Sequence, residues 1–173
     1  MSISLFELFK IGIGPSSSHT VGPMVAARRF GAWLAAQGKL ADTAAVKVDL
    51  YGSLALTGKG HATDTAVILG LCGEDPPSVN IEAVPAILAR VAEQRQVLID
   101  GHHPARFDPA TDMLFHQRKR QPFHTNAMAI SAFDAAGDEL ARRFYYSIGG
   151  GFVLDEDEAG SNSGSAGDED QLP

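Results

Sequence analysis

The run Gly12-Ile13-Gly14-Pro15-Ser16-Ser17-Ser18-His19-Thr20 sets the tightest limit on how this chain folds. Two glycines and a proline interrupt what precedes them, because proline lacks an amide hydrogen and glycine favours turns. Val21 to Gln37 then reads as a helix, with Met24, Ala27, Phe30 and Leu34 at helical spacing, Arg28 and Arg29 off that face, and Gly38 as the stop. A helix N-terminus leaves backbone N–H groups unpaired and favours negative charge. Three hydroxyls and an imidazole gathered ahead of it predict a cradle for a carboxylate or a phosphate. Capping alone uses one hydroxyl. Nucleotide fingerprints do not apply. Residues 3–10 read as a short helix with Leu5, Leu8 and Phe9 on one face, whereas the dinucleotide motif follows a strand, and the P-loop pattern is absent.

Beyond this stretch, Ala45 to Tyr51 alternates as a half-buried strand does. Gly52 to Asp64 reads as a loop, with Thr63 or Asp64 capping a helix through Ala66-Val67-Ile68-Leu69. Glu74-Asp75-Pro76-Pro77 breaks the chain, and residues 82–94 form another helix on Val84, Ile87, Leu88 and Val91. Val97 to Asp100 and Asp112 to His116 are strand candidates. Asn126–Asp134 and Glu139–Ser147 read as strands joined by a glycine-containing hairpin loop, and Gly149-Gly150-Gly151 permits a bend. Helices interleaved with strands predict an α+β fold with helices packed on a mixed or antiparallel sheet.

The 19 residues from Asp155 to Pro173 carry seven acids and no base, which leaves 14 of each sign in residues 1–154. The body is therefore neutral despite a net charge of −7, and nothing in its charge points to nucleic acid. The acidic, Gly/Ser-rich segment 155–173 is expected to be a disordered linker or tail, and 1–154 a single domain. No apolar run has membrane-spanning length and the Met1 end lacks the build of a secretory signal, so a cytoplasmic chain is expected. Cys72, the single cysteine, sits among apolar neighbours and reads as a buried small hydrophobe.

Six histidines are present, at 19, 61, 102, 103, 116 and 124. One cysteine excludes the structural zinc sets built on two or more, and no pair has the i, i+4 spacing of a helical zinc site; a three-histidine metal site has no positive signal. His102, His103 and His116 read as exposed surface residues. His19, His61 and His124 each sit at a loop or element boundary beside hydroxyls or small residues, where an imidazole serves as a general base or donates to an anion.

Ser4 to Lys10 running into Gly12 to Met24, Tyr51-Gly52-Ser53-Leu54 through Gly58-Lys59-Gly60-His61, and Tyr145-Tyr146-Ser147-Ile148-Gly149-Gly150-Gly151-Phe152 together resemble the iron–sulfur L-serine dehydratases over residues 3 to about 154. The resemblance implies the β domain of that family, an α+β unit of the allosteric-substrate-binding type. It implies a larger α domain holding a [4Fe–4S] cluster, with its ligands outside this chain. The implied reaction is L-serine ammonia-lyase chemistry, giving pyruvate and ammonia, in amino-acid degradation and gluconeogenesis. Carried over by motif, His61 is the base, while Ser16, Ser17, Ser18, His19, Thr20, His124 and Asn126 orient the substrate. Where the family often has His-Glu-Asn-Gly-Met, this chain has His124-Thr125-Asn126-Ala127-Met128. A cluster needs several thiolates. The expectation is thus a separated β domain, inactive alone, partnered by the cluster-bearing domain and compatible with a homodimer. Two other readings are a non-catalytic allosteric module binding serine or another anion, and a protein-association domain.

Overall fold

In a computed structural model, which describes residues 17–58 and 62–164, the helix after the serine run is α1 (Gly22–Ala36). Met24, Ala27, Phe30 and Leu34 are all buried along it, the stripe the sequence predicts, and Gly38 follows its end at φ +67°. A π turn, Ser17–Val21, leads into α1. The expected helix at 3–10 lies outside the described residues.

The predicted strand Ala45–Tyr51 is β1, and it is the centre of the sheet. Seven strands are present among the described residues. The others are β2 (Gln96–Ile99), β3 (His103–Arg106), β4 (Met113–His116), β5 (Asn126–Phe133), β6 (Glu139–Gly149) and β7 (Phe152–Asp155). The order is β2-β3-β1-β5-β6-β7, with β4 also beside β1. β1 runs parallel to β3 and β4 and antiparallel to β5; β5–β6 is the expected hairpin and β6–β7 a second. The sheet is mixed and the fold is α+β, as the sequence predicts.

One sheet face carries the core. Val46, Val48 and Leu50 of β1, Met128 and Ile130 of β5, and Tyr145 of β6 pack with Phe30 and Leu34 of α1. The remaining helices are α2 (Gly52–Gly58), α3 (Thr63–Leu71), α4 (Val84–Gln94) and α5 (Glu156–Gly164). The α1–α3 contact is so close that a Cβ on Gly70 would stand 2.2 Å from the Met24 carbonyl oxygen.

Four expectations are corrected. The loop expected from Gly52 includes the short helix α2, because Leu54 and Ala55 are fully buried in the core and burial outweighs the Gly/Ser/Thr-rich composition. Neither Thr63 nor Asp64 caps α3: the N-cap is Ala62, at φ +69°, and makes no side-chain cap hydrogen bond. His103 and His116 are not free surface residues. The His103 ring hydrogen-bonds the Thr43 carbonyl at 2.7 Å. His116 donates from Nε2 to Asp49 Oδ1 at 2.7 Å and stacks on Tyr51.

The fourth is the acidic segment, whose first ten residues are ordered as the end of β7 and α5. Asp155 Oδ1 accepts from the N–H groups of Asp157 and Glu158, while Glu158 Oε2 accepts from the Asp155 N–H, a reciprocal capping box. Arg29 and Arg143 each reach Asp155 Oδ2 at 3.0 Å. Burial works against this carboxylate, but the Glu158 N–H and the two guanidinium groups outweigh it and hold its pKa below the ordinary value.

Candidate functional site

The C-terminal end of β1 and the N-terminal end of α1 meet at one end of the sheet. Gly52, at φ +54°, turns the chain out of β1 so that Ser53 enters α2. The Ser53 hydroxyl hydrogen-bonds His19 Nε2 at 2.8 Å, and the Ser18 hydroxyl hydrogen-bonds Nδ1 at 2.8 Å. The Ser53 N–H donates to the Thr125 carbonyl at 3.1 Å and lies 3.3 Å from the Thr125 hydroxyl. The Thr63 hydroxyl donates to the His19 carbonyl. Four segments of sequence are thus tied together through Ser53 and His19, and two of them hold residues expected to bind substrate: Ser18, His19 and Thr20 on the π turn, and His124 and Asn126 either side of Thr125. A π turn inside a helical run is often a functional device.

Two of the histidines have definable chemistry. Burial lowers the pKa of His19 from 6.5, so the neutral ring is the form held between the hydroxyls. A folded-state value below the unfolded one means that its stabilisation is complete above 6.5 and is lost as pH falls through the lowered value. The His19 ring resonances are expected to titrate with a midpoint below 6.5; a midpoint at or above 6.5 contradicts the burial argument. His124 Nδ1 accepts the Asn126 N–H at 3.0 Å, so the neutral ring carries its proton on Nε2. His124 therefore presents a donor, suited to a carboxylate.

Ser16 and His61 lie outside the described residues, as does the Ser17 side chain. The next residue after His61, Ala62, holds a left-handed backbone that non-glycine residues seldom adopt. Ser53 and Thr125 were not singled out by the sequence analysis, although Ser53 sits in the quoted Tyr51-Gly52-Ser53-Leu54 motif. A cavity of about 690 Å³ is at the other end of the sheet, around Lys47, Arg106, Asp112 and the β5–β6 loop. Arg106 and Asp112 pair there at 3.7 Å, and no histidine lines it. The imidazole and hydroxyl groups, rather than the volume, mark the site.

The donor set does not fit an iron–sulfur cluster. Cys72 is the chain's single cysteine, it is buried, and burial pushes its thiol pKa up, away from the thiolate a cluster requires. No group of three His, Cys, Asp or Glu side chains suited to a metal ion is present among the described residues. No helix among them is long and apolar enough to cross a membrane.

An α+β domain with serine, threonine and histidine side chains converging at one end of its sheet is the class these observations define. The family model described as serine dehydratase beta chain matches residues 4–158, and the chain belongs to that family. An L-serine dehydratase of Streptomyces coelicolor is 48% identical over 162 residues, covering 94% of this chain and 36% of that protein. L-serine dehydratase 1 of Escherichia coli is 47% identical over 163 residues, covering 93% and 35%. The L-serine dehydratase of Helicobacter pylori is 43% identical over 157 residues, covering 91% and 34%. The chain spans about a third of the length of these relatives.

Proposed function

We propose that this chain is the substrate-recognition part of a cytoplasmic L-serine ammonia-lyase, working with a cluster-bearing domain that supplies the rest of the active site. The observation that carries the reading is the convergence of the His19 and His124 segments on Ser53 at the N-terminal end of α1. The reaction removes the Cα proton and the Cβ hydroxyl of L-serine as water, leaving aminoacrylate, which tautomerises to the imine and hydrolyses to pyruvate and ammonia. Ser16, Ser17 and Ser18 with the opening turns of α1 hold the carboxylate, using hydroxyls and the favourable helix end. His124 Nε2–H donates to the same group, and His61 takes the Cα proton. Departure of the hydroxyl is assisted by groups outside this chain. The allosteric-substrate-binding fold type belongs to the same proposal.

The partner is argued from an apolar rim. The exposed large hydrophobic side chains among the described residues are Leu56, Phe123, Ile148 and Phe152. Leu56 follows Ser53 on α2, Phe123 adjoins His124, and Ile148 and Phe152 flank the glycine turn between β6 and β7. All four therefore belong to segments at the site end. Apolar patches rimming a polar centre mark interaction surfaces, and here the occupant is the cluster-bearing domain. Replacing Leu56 and Phe152 together by aspartate is expected to weaken reconstitution at least tenfold, of the order seen when buried interface anchors are lost, with the unfolding midpoint unchanged. Reconstitution at wild-type concentrations contradicts this docking face.

Effector binding without chemistry is the second reading. It is favoured by the same hydroxyl cradle and differs in needing no base.

A further inference from the structure

Among the described residues, three buried side-chain oxygens have no hydrogen-bond partner: Thr20 Oγ1, Asn126 Oδ1 and Ser147 Oγ. Thr20 and Ser147 are each only 3% exposed. The strand register puts two of the three side by side. β5 pairs Ala127 with Tyr146 of β6, so Asn126 stands opposite Ser147 one step further along. Gly52 bridges Asn126 from the other side. The row therefore runs Gly52, Asn126, Ser147. Two residues inward lies the row Leu50, Met128, Tyr145, which packs in the core with α1. Side chains two apart along a strand share a face, so Asn126 and Ser147 lie on the helix side, and Gly52 contributes no side chain there. The π turn that carries Thr20 packs against β6, which brings the third oxygen to the same corner.

Unpaired buried polar atoms are costly and native structures largely avoid them. Three in one corner of a site call for a ligand with matching donors. An amide oxygen only accepts, and hydroxyls accept as well as donate. An ammonium group offers three N–H donors and accepts nothing. We propose that Thr20, Asn126 and Ser147 form the α-ammonium subsite of the amino-acid site, and that Ser147 touches the substrate. This rests on the L-serine reading and divides the substrate between two places, with the carboxylate at the serine run and His124 and the ammonium at Thr20 and the Asn126–Ser147 row. The arrangement selects α-amino acids over the corresponding hydroxy acids, because a subsite left unpaired by the wrong ligand penalises it.

The test is calorimetric titration of this chain with L-serine and with 3-hydroxypropionate, which keeps the carboxylate and the β-hydroxyl but lacks the ammonium. Wild type is expected to bind L-serine at least about tenfold more tightly. Ser147→Ala is expected to lower L-serine affinity about tenfold and to leave 3-hydroxypropionate unchanged. It removes an unpaired buried hydroxyl, so its Tm should equal or exceed that of wild type by up to about 3 °C. Thr20→Val keeps the side-chain shape and should lose the same preference, which provides the result if Ser147→Ala folds poorly. Variants that weaken both ligands equally, or neither, overturn the subsite while leaving the L-serine reading intact. A fall in Tm without a change in preference assigns these oxygens to packing and also overturns it. No L-serine binding by wild type overturns the underlying reading and the subsite with it.

Discussion

Replacing His61 by alanine is expected to lower kcat of the complete enzyme about a thousandfold, the midrange for loss of a positioned general base, with the fold unchanged. Abstracting the Cα proton of an amino acid needs a base whose ring nitrogen is available in the neutral form. The other two histidines of the trio have competing commitments. His19 is hydrogen-bonded at both nitrogens to the Ser18 and Ser53 hydroxyls. His124 uses Nδ1 to accept the Asn126 N–H, which leaves its proton on Nε2 and makes it a donor. His61 precedes Thr63 by two residues in the sequence, and the Thr63 hydroxyl donates to the His19 carbonyl. Steady-state turnover at saturating L-serine checks the prediction, together with circular dichroism of the variant. A kcat within tenfold of wild type removes His61 from the chemistry and favours the effector-binding reading.

Gly52→Ala is expected to destabilise the chain by about 2–4 kcal/mol, combining overpacking with a left-handed backbone. A Cβ there would lie 2.3 Å from the Thr125 carbonyl oxygen, a backbone atom that cannot rotate aside, and φ is +54°. Relief requires Thr125 to move, which breaks the Ser53 N–H bond to it and separates His19 from His124 and Asn126. Gly38→Ala is the control: its φ is +67°, but nothing lies within 4 Å of the added carbon. The control should cost about 1 kcal/mol, the backbone part alone. Urea unfolding measures both, and equal losses for the two variants contradict the steric argument at Gly52.

Regular elements with strong periodicity were legible in the sequence. The α1 stripe, the alternation of β1, and the β5–β6 hairpin need only local pattern, and each stands where it was read. Elements fixed by distant partners were not. α2 lacks a helical composition and forms because Leu54 and Ala55 bury. The pairing of His116 with Asp49 depends on β4 lying beside β1, a register no local pattern encodes. Asp155-Glu156-Asp157-Glu158 did carry a signal, the Asp-x-x-Glu of a capping box, but its acidity reads equally as a solvated tail until Arg29 and Arg143 are placed against it. At the site, hydroxyls ahead of a helix pointed to the π turn, while Ser53, Thr125 and Ser147 became visible only once the strands were paired.

The most direct measurement is serine-dependent pyruvate formation under anaerobic conditions with iron and sulfide, using this chain alone, a cluster-bearing dehydratase domain alone, and the two mixed. Pyruvate from the mixture, and from neither part by itself, is the predicted result. Pyruvate from this chain alone, or none from a mixture whose cluster is verified, would contradict its role as the recognition part of a two-part L-serine ammonia-lyase.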